Sequence, residues 1–531
     1  MSPPSKDDSE EGIRHLESIT LDYTPRKYFF GLRGPPLMRG VTAAGAIGFL
    51  LFGYDQGVFS GVNTSQDFLR TFDYPNSSLL GTINAIYEIG CFVGAINVFI
   101  VGEYLGRKKC LYVGAALMLV GAILQASAFH TVQMVIGRIV CGWGNGFNTA
   151  VTPLWVSELS PAKSRGRLVS VEGNLIAAGV VVAYFFNIGV SYLPPTDPVN
   201  WRLPIAFQVV FIVAQVGLVF FLPESPRWLA KYDRHEEALD VLSQLSSKDF
   251  TEGNMEAQKL KVHIDRVLTL EEAEGPWHIR EMFMSGPLKI RRRYMLACGL
   301  QIMQQLSGIN VLVYYFPHIL TTDVGYEEKV SLYISAGLAL TYWVFSLIPV
   351  ICLDQMTRRQ PLIWGSVVCS ISFLLAGVLQ KDITVVKAKA SMVWFFVFEA
   401  AFGFGWVPIP WLYSPEIMPL RHRSHCAALS TASNWIFNYL IVQITPISIS
   451  NIRWRTYMIF FVLNLAFAVI VFLFYPETSG RSLEAMDDIF MGDNDVVFVV
   501  GKNGRLRPGF RSNYNGGVEI DQEGQEDVNK K

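Results

Sequence analysis

Asp55 lies in the apolar run Phe49–Phe59, and Arg138 lies within Met134–Cys141, so both charges stand where charge is costly. A carboxylate at bilayer depth is expensive unless paired or hydrated, which makes any ionisable residue there a functional candidate. Two chemistries fit the pair. It is either a static ion pair joining two helices, or a carboxylate that takes and releases a proton while Arg138 sets its proton affinity by proximity. Glu88, Glu172 and Glu399 are further carboxylates inside apolar runs. Glu88 and Glu172 fit either a cavity lining or a hydrogen bond between helices, and Glu399 is expected on a solvated face near an outer helix end.

A second group carries no charge. Gln301, Gln304, Gln305 and Gly308 fall on one helical face, an uncommon amide load for a lipid-embedded segment. Amides donate and accept, which suits a neutral ligand whose hydroxyls do both. Interhelical hydrogen bonding is the alternative. On an ideal helix Asn310 points about 140° away from Gln305. Both can face one cavity only if the helix breaks near Gly308, as site helices of transporters do. Trp411 and Trp435 fit either stacking on a pyranose ring or ordinary core packing. A third group is ionic: Glu103, Glu158, Glu224, Asp354 and Glu416 face Arg107, Arg165, Arg358, Arg359 and Arg423 at helix ends. As a solvated rim, such pairs contribute about 0–1 kcal/mol each.

The elements that must position these residues are membrane helices. Hydrophobic residues make up 51% of the 531-residue chain and charged residues only 17%, against about 25% charge in a soluble protein. The apolar residues also come in blocks; Leu203–Leu222 and Thr456–Tyr475 could each cross about 30 Å of hydrocarbon. A soluble enzyme and a disordered scaffold are excluded, and a net charge of -1 leaves no nucleic-acid footprint. The seven cysteines form no CxxC pair and no metal spacing, so they read as small buried hydrophobes, with no cofactor, metal or disulfide framework called for. The acidic, polar start Met1–Gly12 does not read as a cleaved signal peptide.

Twelve apolar spans are predicted, near 40–62, 79–101, 110–128, 132–155, 168–190 and 203–222, then 294–317, 329–353, 361–379, 389–414, 424–447 and 455–475. The fold class is therefore an all-α membrane protein with two six-helix bundles, 40–222 and 294–476. A polar linker over 223–293 contains short amphipathic helices. A tail over 1–39 and a mostly disordered tail over 477–531 complete the chain. The halves echo one another. Glu103–Lys108 matches Asp354–Arg359, Pro153–Glu158 matches Trp411–Glu416, and Pro223-Glu224-Ser225 matches Pro476-Glu477-Thr478, all at a near-constant offset. A duplicated six-helix unit is the architecture of a rocking transporter with its site between the halves. The basic loop clusters put both termini and the linker in the cytoplasm. The two sequons, at Asn63 and Asn76, then lie in an outside loop and are glycosylation candidates.

Taken in order, these motifs resemble the sugar-porter family of the major facilitator superfamily across roughly residues 40–490. They are Gly53-Tyr54-Asp55-Gln56-Gly57, Gly106-Arg107-Lys108, Arg138, Pro153–Glu158, Pro223–Leu229, Gln304–Asn310, Pro408-Ile409-Pro410-Trp411, Asn434-Trp435 and Pro476–Glu484. The resemblance implies the major-facilitator fold and makes Asp55 the proton carrier. It places Gln304, Gln305, Asn310, Trp411 and Asn434 on the sugar, and reads the rim ions as inter-helix bridges that latch the outward-facing state. Several bridges together could shift an equilibrium of a few kcal/mol.

Some positions depart from the pattern. Gly173 stands where a sugar-contacting Gln is common, Tyr342 where an Asn is, Gly403 where some carriers have Glu, and Thr357 where the second-half Gly is usual. With Gly53–Gly57, these look like the fungal glycerol/proton symporter branch. The function expected is proton-coupled uptake of a sugar or polyol by a monomer in the plasma membrane. The rival readings are export of a fungal secondary metabolite and a non-transporting nutrient sensor.

Overall fold

The computed structural model describes residues 31–160, 165–245, 277–284, 286–352, 356–381 and 384–479, with a few isolated positions from 486 to 519. Residues 1–30 of the N-terminal tail, most of the C-terminal tail, linker residues 246–276 and Asp354 lie outside the described residues, as does the side chain of Arg165. A two-residue antiparallel pairing of Tyr514–Asn515 with Val518–Glu519 apart, the regular structure among the described residues is helical.

The first half holds α1 (Pro35–Val62), a short α2 (Gln66–Thr71), α3 (Ser77–Leu105), α4 (Arg107–Ala126), α5 (Thr131–Leu159), α6 (Arg165–Val190) and α7 (Val199–Phe221). Two linker helices follow, α8 (Pro226–Lys231) and α9 (His235–Leu245). The second half holds α10 (Ile290–Leu306), α11 (Ile309–Ile319), α12 (Glu328–Cys352), α13 (Arg359–Lys381), α14 (Val385–Gly405), α15 (Ile409–Ile417), α16 (Arg423–Ile452) and α17 (Arg455–Phe474). Ten helical stretches among the described residues are long and apolar enough to cross a membrane, with α10–α11 and α14–α15 each acting as one span. The two remaining spans, α5 and α16, run to 29 and 30 residues but carry the polar load of Arg138, Asn145 and Asn148, or Asn434 and Asn438. Those side chains are buried inside the protein, so lipid never meets them.

Within the first half α5 packs on α3 and α4, and α1 on α6 and α7; within the second, α13 packs on α14 and α17, and α10 on α16. The halves meet where α16 lies along α3, α12 along α6, and α11 against α1. Small residues set the closest approach. A Cβ at Gly142 would stand 2.0 Å from the Tyr87 carbonyl, and one at Gly90 2.2 Å from that of Ile139, so α3 and α5 touch backbone to backbone. That contact brings Arg138 of α5 onto the carbonyls of α3.

Two spans are broken. Gly308 adopts φ 98°, a left-handed conformation that favours glycine, and separates α10 from α11. This is the break that the placement of Asn310 requires. The second, at Trp406–Pro408 between α14 and α15, falls inside a span that reads as continuous from apolarity alone.

Candidate functional site

The Asp55–Arg138 pair is sealed. Both residues are 0% exposed, and Arg138 Nη1 donates to Asp55 Oδ2 at 3.2 Å. The rest of the guanidinium is held by backbone: Nε donates to the Ile83 carbonyl at 3.2 Å and Nη2 to that of Asn84 at 2.7 Å. Its plane lies over the Phe59 ring at 3.9 Å and the Tyr87 ring at 4.6 Å. The arginine is thus fixed on every side, whereas Asp55 Oδ1 has no hydrogen-bond partner. A carboxylate with one free oxygen beside an immobile cation can be neutralised and recharged without rebuilding its surroundings.

The amides gather at the two helix breaks. Asn434 Nδ2 of α16 donates to Gln301 Oε1 at 2.7 Å and to Gln304 Oε1 at 3.0 Å. Gln304 Nε2 donates across to the Trp406 carbonyl at 2.6 Å, a group freed by the α14–α15 break. Asn310 Nδ2 donates to Gln305 Oε1 at 2.5 Å, so the turn at Gly308 does bring these residues together. Asn464 Nδ2 caps the other break by donating to the Ser307 carbonyl at 2.9 Å. Asn434 Oδ1 and both polar atoms of Asn438 remain without partners. Buried polar atoms left open in this way are costly, and a ligand bearing hydroxyls could satisfy them.

Trp411 and Trp435 sit between the halves. Trp411 meets Phe49 of α1 edge-on at 5.6 Å; Trp435 meets Phe52 at 4.8 Å and donates its indole N–H to Thr149 Oγ1 at 3.2 Å. Tyr342 is buried against Phe402, and a Cβ at Gly403 would lie 2.8 Å from its carbonyl. On the neighbouring face Asn174 of α6 donates to Ser346 Oγ of α12 at 2.7 Å, a link between halves that no motif marks.

The intramembrane glutamates take separate places. Glu88 accepts from Tyr314 Oη at 2.7 Å, and both Glu172 oxygens lack partners. Glu399 is not on a solvated face: it is only 2% exposed, with one orphaned oxygen. The reason is that α14 is packed on α12 and α13, and Glu399 falls on its inward face. Of the sequon asparagines, Asn76 is exposed and accepts from Leu79 N as the N-cap of α3, while Asn63 is buried.

The rim repeats itself. Arg107 Nε and Nη2 donate to the two Glu158 oxygens at 2.9 Å each, and Glu224 accepts from the backbone N–H of Arg107 and Lys108. Burial pushes the Glu224 carboxyl up from its ordinary range, against the pull of those backbone donors. In the second half Arg358 Nη2 donates to Glu416 at 3.3 Å, and Glu477 accepts from Arg358 N at 2.7 Å and Arg359 N at 3.2 Å. These bridges join helices within one half. Between halves, Ser424 of α16 donates to Glu103 of α3 at 2.6 Å. Arg423 reaches the Met418 carbonyl. Glu477 has no place in the rim set read from sequence, although the Pro223/Pro476 repeat aligns it with Glu224.

Residues 41–490 match the family described as sugar (and other) transporters. The MFS-type transporter oryC of Aspergillus oryzae is 39% identical over 480 residues, covering 89% of both chains. The sugar transporter STL1 of Saccharomyces cerevisiae is 32% identical over 488 residues, covering 90% of this chain and 85% of its own. High-affinity glucose transporter 1 of Candida albicans is 29% identical over 476 residues, covering 85% of each. Among solved structures, the proton:xylose symporter XylE bound to 6-bromo-6-deoxy-D-glucose superposes with a TM-score of 0.75 at 24% identity, covering 86% of this chain and 99% of XylE. The inward-open form of XylE from E. coli gives 0.67 at 25% identity, covering 85% of this chain and 99% of XylE. The chain belongs to the sugar porter family of the major facilitator superfamily.

Proposed function

We propose that this sugar porter is a proton-coupled symporter for a small neutral polyhydroxy substrate, a sugar or a polyol such as glycerol, working by alternating access. The observation that carries the proposal is the sealed Asp55–Arg138 pair with its free Oδ1. A carboxylate buried at that cost is by default a functional group, and its open oxygen favours a proton site over a static ion pair. The amides at the helix breaks supply the substrate ligands: Gln301, Gln304, Gln305, Asn310 and Asn434, with Trp411 and Trp435 closing the site from the side of α1. Tyr342 in place of a smaller amide favours a compact substrate. Both termini face the cytoplasm, the protein acts as a monomer in the plasma membrane, and the rim bridges brace each half while the Ser424–Glu103 bond joins the halves on the inner side.

Uptake of labelled hexoses, pentoses and polyols by a transporter-null cell, with and without a protonophore, tests this function. Accumulation of a substrate against its gradient that the protonophore abolishes is the expected result. Accumulation insensitive to the protonophore, or uptake of none of these compounds, would overturn it. A protease site placed between residues 246 and 276 should be cut only from the cytoplasmic side.

A further inference from the structure

The linker is fastened at both ends by a tryptophan, and the two fastenings differ. At the first end Trp228 of α8 donates its indole N–H to the Glu103 carbonyl of α3 at 2.7 Å. At the second end Trp277 donates its indole N–H to Nδ1 of His422 at 3.1 Å, just before α16 begins. A carbonyl accepts at any pH near neutrality, whereas an imidazole nitrogen accepts only while it carries no proton. Trp277 also lies where the halves meet. Its ring stacks on His425 of α16 at 3.8 Å and 11°, and Phe99 of α3 meets it edge-on at 5.5 Å. The Ser424–Glu103 bond between the halves lies in the same place. A short 3-10 helix, Ile279–Phe283, follows Trp277, and its Glu281 accepts from Arg421 Nη2 at 2.9 Å. Neither Trp277 nor His422 belongs to a motif or repeat read from the sequence.

We infer that the Trp277–His422 bond is a cytosolic pH switch, which clasps the linker to the start of α16 at neutral pH and releases it when acid protonates Nδ1. The inference rests on the cytoplasmic linker of the proposed function. Protonation turns Nδ1 from an acceptor into a donor that faces the indole donor, so the bond is lost. The clasped form therefore binds this proton less readily than the open form. Its stability is present above the titration range of imidazole, about 6.5, and fades as pH falls through it. The charged and titratable groups around the ring are Glu281 from the linker, Arg421 and Arg423 beside it in the chain, Tyr294 of α10 and His425 of α16. Glu103 and Arg107 of α3 and Lys231 of α8 stand beyond His425. Glu281 lies 3.6 Å from Nε2, but it is already paired with Arg421 and so offers a new cation little. Each proton carried in with substrate acidifies the side on which the clasp sits. Release frees the inner ends of α3 and α16 from a shared ring, so the entering proton load acts back on the step that opens the inner side.

Hydrogen–deuterium exchange over residues 277–284, in the full-length protein in lipid nanodiscs, reads the clasp without substrate. Dividing the rate of the free peptide at the same pH by each measured rate gives a protection factor freed of the intrinsic pH dependence of exchange. Protection should fall by about 5-fold or more, the lower end of a coupling between two sites, from about pH 7.5 to about 5.5, one unit on either side of imidazole. His422→Gln keeps an acceptor that does not titrate and should stay protected at both. Trp277→Phe keeps a stacked ring without the N–H and should stay unprotected at both. Opposite plateaus do not follow from a merely structural contact. If His422→Gln does not fold, Trp277→Phe carries the test. A parent protein that ignores pH, or a response unchanged in either variant, overturns the inference. So does a response that survives His422→Gln and vanishes in His425→Gln. The expected exchange pattern in a protein whose linker is cut by protease from outside keeps the bond as a switch and overturns the proposed sidedness, on which its cytosolic role rests.

Discussion

The two halves agree at the rim and part company at mid-membrane. At the rim, Glu224 caps the start of α4 as Glu477 caps the start of α13, and Arg107–Glu158 repeats as Arg358–Glu416. At mid-membrane the first half keeps continuous helices and a buried ion pair, while the second breaks two spans and fills the breaks with neutral amides. The difference shows how a duplicated unit divides its work. A charge needs a rigid, backbone-lined seat, because any looseness would let water or a stray counter-ion compete. The interrupted helices instead free the Ser307 and Trp406 carbonyls, which accept from the side-chain amides of Asn464 and Gln304. What both halves must do alike, closing one face, remains symmetric.

The largest expected effect comes from removing the charge that distinguishes the first half. Asp55→Asn should reduce proton-driven accumulation to an inside-to-outside ratio near unity. One proton moving through 100 mV supplies about 2.3 kcal/mol, enough for a roughly 50-fold gradient, and that gradient should disappear. Retained accumulation with the parental dependence on the proton gradient would dissolve the contrast between the halves.

Next come the amides of the second half. Gln305→Ala and Asn310→Ala should each weaken apparent substrate affinity by about 5- to 150-fold, the cost of about 1–3 kcal/mol for a buried hydroxyl left unpaired. Surface expression should persist. Poor folding with unaltered transport in the surviving protein would instead make the amides internal staples. A smaller shift is expected from Tyr342→Asn, which should raise hexose transport relative to glycerol, within about 200-fold as for other single-group changes in a pocket. An unchanged ratio places Tyr342 outside the site. The smallest effect belongs to the periphery of the rim. Lys231→Ala loses a bridge to Glu103 whose lysine is 43% exposed, and should change transport rate and melting temperature by no more than about 1 kcal/mol equivalent. A larger change would mean that Glu103, through Ser424, holds the halves together more firmly than its bond length suggests.

Much of this arrangement is legible before any coordinates. The twelve spans, their ends within a few residues, and the repeat follow from apolar blocks and matching charged corners. The Gly308 break is legible because Gln305 and Asn310 cannot share a face without it. The break at Trp406–Pro408 is not, since Pro408 and Pro410 are compatible with a kinked but continuous helix. Glu399 is misread because α14 is apolar nearly all round, which leaves its buried face unmarked. The links between halves, Tyr314 to Glu88, Trp435 to Thr149 and Asn174 to Ser346, join residues far apart in the chain with no shared pattern. Only packing decides them.

The bond from Gln304 to the Trp406 carbonyl has a mechanical meaning. Two interrupted spans would ordinarily supply two independent joints, each free to flex on its own. Riveted at their gaps, they form a single knuckle. Gln301, Gln304, Asn434 and the Trp406 carbonyl are thereby bonded as one piece, from which α11 and α15 extend. If the proposed substrate rests on those amides, a rigid knuckle keeps their spacing fixed while the walls around it rearrange.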